Sequence, residues 1–302
     1  MTGERERLLL ADGDFLDLDW GRRGADRLAI LTHGLEGDSK NPCLQGMAAA
    51  LRRDGWDVLA WNFRGCGGEP NRLLRSYHSG ATEDLQAVIS RALRDSTYQR
   101  VSLVGFSLGG NMVLKYLGDL GGDVDSRLDR AVAFSVPCDL ASSSRHLESR
   151  ANRLYMRHFL QSLREKIREK IQRFPGMVDD VGLAQMRTFR EFDGAYTAPM
   201  HGFASAEDYW SRASCKPVLT RIAIPTLLVN ARNDPFLPEE CFPFDAAVTN
   251  PSFFFECPMS GGHTGFIAFN ALGEYWSETR AVKFLREPLM SADQTPPTVN
   301  PS

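Results

Sequence analysis

Ser107 stands at the centre of Gly105-Phe106-Ser107-Leu108-Gly109, between a short strand-forming run, Val101 to Gly105, and a stretch of helical period, Leu108 to Leu117. A chain that passes from strand to helix through glycines placed two before and two after a serine is confined to few architectures. The turn is tight and strained, and it lifts the hydroxyl above the carboxyl end of a sheet strand. The glycines remove side chains where that turn would clash with its neighbours. With glycine at about 7% of residues, the bare pattern arises by chance in roughly one chain in ten. The flanking strand and helix therefore carry the argument against a plain Gly-Ser connection.

Around this turn, short apolar runs bounded by Gly, Asp and Pro alternate with amphipathic stretches, the rhythm of an α/β chain with a mostly parallel central sheet flanked by helices. The first clear strand is Arg27 to Thr32, followed by a helix from Pro42 to Arg53 with Leu44, Met47, Ala48 and Leu51 on one face. Trp56 to Asn62 is a second strand. Ala81 to Arg94 repeats the helical period through Leu85, Val88, Ile89 and Leu93, with Thr82 as N-cap ahead of Glu83 and Asp84. Leu128 to Val136, Ile224 to Asn230 and Ser252 to Glu256 read as further strands, and Gly273 to Arg286 as the last helix.

Between Val136 and Ile224 the rhythm fails and the chain turns helical and charge-rich. The expected organisation is a core from 1–138 and 217–288, a helical cap insertion at 139–216, and a flexible tail at 289–302. Within the insertion, Met156, Phe159, Leu160, Leu163, Ile167 and Ile171 keep helical spacing while Arg153, Arg157, Arg164, Lys166, Arg168, Lys170 and Arg173 fill the other positions. Without aromatic anchors along it, this reads as a helix with its apolar face inward and a solvated basic face, in preference to a membrane-surface helix.

Charge excludes one class of partner: 35 basic against 38 acidic residues, a net −3, create no field for nucleic acid. The amino terminus, charged from Glu4 to Arg7 with an apolar run only from Leu8 to Ala11, falls far short of a secretory or membrane-spanning segment. The chain reads as cytoplasmic, with no stable membrane insertion and peripheral contact left open. Cys43, Cys66, Cys138, Cys215, Cys241 and Cys257 follow no metal-ligand or disulfide spacing and read as reduced, packed thiols. Arg64-Gly65-Cys66-Gly67-Gly68 lacks the spacing of either common phosphate loop, so no nucleotide cofactor is implied, and no metal.

A serine hydroxyl needs a base, and the base needs an orienting acid; in this architecture they follow in the order Ser, Asp or Glu, His. His263, in Gly261-Gly262-His263-Thr264-Gly265 after the last strand, is the candidate base. Asp234, in the turn Asn233-Asp234-Pro235 after the preceding strand, is the candidate acid, with Asp139 in reserve. The oxyanion that forms on a carbonyl needs backbone donors: Leu108, after the nucleophile, and Leu35, in the glycine loop Thr32 to Gly37. His33 in that loop reads as a buried structural histidine, and Glu36 equally as a pocket residue or a surface charge. Serine at 107, where related chemistries use aspartate, excludes dehalogenase-type attack through a carboxylate.

These residues sit in longer blocks: His33-Gly34-Leu35-Glu36-Gly37, NFRGCGGEPN from Asn62, YHSGATEDL from Tyr77, GFSLGGN from Gly105, FDGAYTAPMHGF from Phe192, NARNDPFLP from Asn230 and GGHTGF from Gly261. Together they resemble the YheT-like family of the α/β-hydrolase fold, which includes the plant embryogenesis-associated hydrolases and mammalian lipid-directed members. The resemblance runs from about Leu28 to Phe284. It implies a serine hydrolase of carboxylic esters, in some relatives acylglycerol or phospholipid esters, with Ser107 as nucleophile, His263 as base and Asp234 as acid. Two positions depart from the pattern: Ala81 where an acidic residue is expected, and Gly67 where a serine is common, the latter in a loop expected near the pocket.

The resulting expectation is acyl transfer to water through an acyl-enzyme, on a small-molecule or lipid ester, under a cap whose Met, Phe and Tyr residues from Tyr155 to Tyr209 line an apolar pocket. A thioesterase or acyltransferase would use the same three residues. A ligand-binding protein that keeps the fold without catalysis is the reading from another class, against which the intact Ser, Asp and His argue.

Overall fold

A computed structural model of the chain describes residues 3–94, 97–268 and 273–286. Eight strands form one sheet: β1 (Glu4–Leu9), β2 (Phe15–Gly21), β3 (Arg27–Thr32), β4 (Asp57–Asn62), β5 (Arg100–Phe106), β6 (Leu128–Phe134), β7 (Thr226–Val229) and β8 (Phe253–Glu256). Their order is β1-β2-β4-β3-β5-β6-β7-β8; β2 pairs antiparallel with β1 and β4, and the pairs from β4 to β8 are parallel.

The central strands are buried along almost their whole length because helices cover both faces. Side chains alternate across the sheet: Leu28 and Ile30 join the core under α2 (Thr82–Leu93) and α3 (Leu108–Leu120), while Ala29 and Leu31 face α1 (Pro42–Arg53) and the carboxyl-terminal helix Trp276–Arg286. The chain leaves β3 toward β4 on one side and reaches β5 on the other. That reversal opens a crevice at the carboxyl ends of β3 and β5, where ligands of open α/β sheets bind.

The two amino-terminal strands precede the first strand expected from the sequence. Arg5 and Arg7 obscure them, yet across the hairpin Arg7 Nε lies 2.8 Å from Asp17 Oδ1 and Arg5 Nη2 2.7 Å from Asp19 Oδ2, so the charges pair along a sheet edge. Thr82 is not the cap of α2. The N-cap is Ala81, which makes no side-chain hydrogen bond, and Thr82 donates its own N–H to Gly80 O at 2.8 Å. The last helix starts at Trp276, after Gly273 at φ +66°. The expected tail, 289–302, lies outside the described residues.

Between β6 and β7 the chain is helical: α4 (Leu140–Leu147), α5 (Arg153–Arg173), α6 (Phe189–Phe192), a π-helical turn Asp193–Thr197, α7 (Ala198–Met200) and α8 (Ala206–Ala213). Met156, Leu160 and Ile167 of α5 enter an apolar cluster with Phe192, Tyr196, Phe236 and Leu237. Its basic residues are not all solvated: Lys170 is buried, with Nζ 2.5 Å from Asn71 Oδ1, and Lys166 turns inward. A short helix, α9 (Phe244–Thr249), absent from the sequence reading, lies between β7 and β8, and Trp276–Arg286 is α10.

Candidate active site

Ser107 follows β5 at φ +52° and ψ −121°, a backbone strained for any residue with a side chain. The flanking glycines make the turn physically feasible. A Cβ at Gly105 would lie 2.6 Å from Gly109 O, and one at Gly109 would lie 2.2 Å from His33 O. Ser107 N–H donates to Phe134 O at 2.8 Å, and Asn111 N–H to Ser107 O at 3.0 Å, which tie the turn to β6 and start α3.

His263 Nε2 lies 2.9 Å from Ser107 Oγ, and His263 Nδ1 lies 2.9 Å and 3.1 Å from the two carboxylate oxygens of Asp234. The Asp234 side chain is fully buried, and its Oδ1 also accepts from Phe236 N–H at 2.9 Å. With the acid on Nδ1, the Nδ1–H tautomer leaves Nε2 free to accept the serine proton. Asp139 is elsewhere: it caps α4, accepting from Ser142 N–H at 2.9 Å, which removes it as an acid for His263.

Leu108 opens α3, so its N–H is among the first-turn donors that lack an intrahelical acceptor. Leu35 and Leu108 line the same pocket as Ser107 and His263. The loop that carries Leu35 is held from behind by His33, which is fully buried: Phe63 N–H donates to its Nε2 at 3.1 Å and its Nδ1 lies 2.7 Å from Gly34 O. Burial, only partly opposed by the Gly34 bond, pushes the His33 pKa down to about 3, so the ring is neutral and structural. Glu36 belongs to the pocket wall.

The pocket has a cavity volume of about 150 Å³. Phe159, Leu163 and Ile167 of α5, with Phe189, Met200 and Phe236, supply much of its apolar wall, so residues within the expected span do line it. Tyr155 does not; its ring packs on Phe236 at 4.8 Å with nearly half its surface exposed. A polar patch interrupts the wall at Asp193, whose carboxylate accepts from Thr197 Oγ1 at 2.6 Å and Trp210 Nε1 at 2.8 Å. Burial raises its pKa to about 6 against those two bonds. Gly67 is not at the pocket: a Cβ there would meet Asp17 Oδ2 of β2 at 2.6 Å.

Three contributors were given no role by the sequence reading. Asn233 Oδ1 accepts from the N–H groups of Gly261 and Gly262 at 3.0 and 2.9 Å, fastening the loop of His263 to that of Asp234. Tyr77 and Lys166 meet Glu36 from two other segments. Tyr77 stands in one of the long blocks, which marks it without stating its use. All six cysteines are free thiols, and among the described residues no group of three or more His, Cys, Asp or Glu is placed to hold a metal ion.

The sheet, its reversal between β3 and β5 and the serine turn after β5 define an α/β hydrolase by architecture. Residues 30–267 match the family described as the alpha/beta hydrolase fold, and the chain belongs to that family. Within it the chain is a YheT-like protein: it is 38% identical to YheT of Escherichia coli (strain K12), over 93% of this chain and 84% of that one. It is also 30% identical to phospholipase ABHD3 of Mus musculus, over 87% of this chain and 66% of that one. Among solved structures, the esterase Pf2001 of Pyrococcus furiosus shares the fold with a TM-score of 0.62 at 17% identity, covering 94% of this chain and 90% of that one. No helix among the described residues is long and apolar enough to cross a membrane.

Proposed function

We propose that the protein is a serine hydrolase of carboxylic esters, with Ser107 as nucleophile, His263 as general base and Asp234 as the acid that orients it. The observation that carries this reading is the unbroken chain of contacts from Ser107 Oγ through His263 to buried Asp234, at 2.9 Å on each side of the ring, opening into an apolar pocket. Ser107 Oγ attacks the ester carbonyl as its proton passes to His263 Nε2, and the Leu35 and Leu108 amides receive the oxyanion. Collapse expels the alcohol, which takes the proton from His263. Water, deprotonated by the same ring, then attacks the acyl-enzyme and releases the acid. The proposal includes the helical segment 139–216 as a cap over the acyl chain. An ester substrate is in keeping with the phospholipase name of the mouse relative.

Intact mass after incubation with a fluorophosphonate, on the wild type and on Ser107→Ala, tests the assignment. A single adduct that maps to Ser107 and is lost in the variant is the expected result. A folded wild type that stays unlabelled and hydrolyses no ester overturns it.

A further inference from the structure

The Leu35 amide can bind an oxyanion only if the loop from His33 to Gly37 is held still, and the loop contains a residue that resists its own conformation. Gly37 N–H donates to Gly34 O at 3.1 Å, closing a turn whose third residue, Glu36, sits at φ +55°. Turns of that form favour glycine there. Glu36 keeps the conformation because both its backbone and its side chain are engaged. Its N–H donates to Tyr77 Oη at 2.9 Å, and Tyr77 O–H donates to its Oε1 at 2.6 Å. Lys166 Nζ, from the middle of α5, reaches the same Oε1 at 3.0 Å and lies 5.0 Å from the Tyr77 ring centroid. Cys66 Sγ, 2.9 Å from Nζ, closes the far side.

The charges are settled by their surroundings. Burial opposes the Lys166 ammonium, but the bonds it donates to Cys66 and Glu36, with the Glu36 charge, leave its pKa above the ordinary lysine value. Burial, followed by the charge of Glu36, pushes the Tyr77 phenol well up, so it stays a donor. The Cys66 thiol is pushed up to about 11, mainly by burial, and is neutral. Glu36, Tyr77 and Lys166 all line the pocket that holds Ser107.

We propose that Glu36, Tyr77 and Lys166 form a latch that fixes the oxyanion loop in its donating geometry, and that the latch is complete only when α5 lies over the site. They are positioning residues: each acts on the Leu35 amide through the loop. A left-handed glutamate beside the donor, in place of a freer glycine, ties the loop to the helical segment above it. The inference rests on the hydrolase reading above.

The test compares wild type, Ser107→Ala, Tyr77→Phe, Glu36→Gly and Glu36→Gln in ester hydrolysis, in thermal melting and in binding of a trifluoromethyl ketone, whose hemiketal with Ser107 places an oxyanion at the loop. Glu36→Gly discriminates best, since glycine relieves the backbone and removes the latch. It is expected to stay folded while kcat falls about tenfold or more, KM holds within about twofold, and ketone affinity drops in step with kcat. Tyr77→Phe shows the same split. Glu36→Gln, whose amide oxygen still accepts from Tyr77 and Lys166, recovers most of the loss. If the wild type turns over and Glu36→Gly keeps its kcat, or loses only KM, the latch is overturned and the hydrolase reading stands. If the folded wild type neither hydrolyses esters nor binds the ketone, that reading fails and the latch with it.

Discussion

Asn233 precedes the carboxylate that orients His263, and it holds the loop that carries His263. Its oxygen takes two N–H groups, from Gly261 and Gly262, and Gly262 is at φ +59°, so the loop has little stiffness of its own. Asn233→Ala removes hydrogen bonds at an exposed position, a loss of about 1 kcal/mol of stability. With His263 as the proposed base the kinetic effect is larger, because displacement of a catalytic group by about 1 Å lowers rates by up to roughly 10²-fold. Asn233→Ala is expected to lower kcat/KM on an ester about tenfold with a melting temperature near that of wild type, and Asn233→Asp, which keeps an acceptor, to recover part of the rate. An unchanged kcat/KM in Asn233→Ala would mean that the Asp234 contact alone places His263. The meeting of Ser107, Asp234 and His263 was legible because each lies in a Gly- or Pro-marked turn after a strand. Asn233 was not, since an asparagine before Asp-Pro is ordinary turn chemistry and its partners lie in another loop. Lys166 was misread as solvated for a related reason: helical spacing gives the angle of a side chain on α5, and what waits at that angle comes from the loops after β3 and β4.

The strand, turn and helix around Ser107 form the most tightly determined element of the chain, because backbone occupies the space on both sides. A Cβ at Gly105 would meet Gly109 O at 2.6 Å and Gly110 Cα at 2.7 Å, neither of which can swing away as a side chain could. Gly105→Ala is therefore expected to destabilise the fold by about 3 kcal/mol, the upper range of overpacking. Gly122→Ala, where a Cβ meets nothing within 4 Å, serves as the control and should stay within about 0.5 kcal/mol. Urea unfolding of the two variants beside wild type checks both, and equal midpoints would show that the turn relaxes more readily than its contacts imply. The same backbone crowding made β5 and α3 readable, since no other residue types permit the turn. The β1–β2 hairpin lacks such a constraint: Arg5, Arg7, Asp17 and Asp19 break the apolar pattern of its strands, and only their pairing across the hairpin explains them. α9, six residues long, is too short for periodicity to reveal.

Taken as one body, the molecule sets a stiff sheet that carries Ser107, His263 and Asp234 against a helical segment that supplies much of the apolar wall. The sheet side brings Ser107, Leu108 and Leu35 to the pocket, and α5 brings Phe159, Leu163 and Ile167. That the chain between β6 and β7 is helical was legible from the failure of the βα rhythm after Val136. How its helices pack was not, since a single amphipathic face does not say which surface it meets. If the acyl chain of the substrate lies between sheet and helices, each added methylene leaves water for that wall, worth about 0.8 kcal/mol, or roughly fourfold in kcat/KM. A series of p-nitrophenyl esters should therefore rise about fourfold per carbon until the pocket is filled and then level off. Leu163→Trp fills the wall from α5 without touching the Ser107, His263 and Asp234 contacts, so it should move the break to shorter chains while the shortest ester is hydrolysed at nearly the wild-type rate. A profile flat across the series in the wild type would remove the acyl chain from this pocket, and a Leu163→Trp profile identical to wild type would place the chain along another wall.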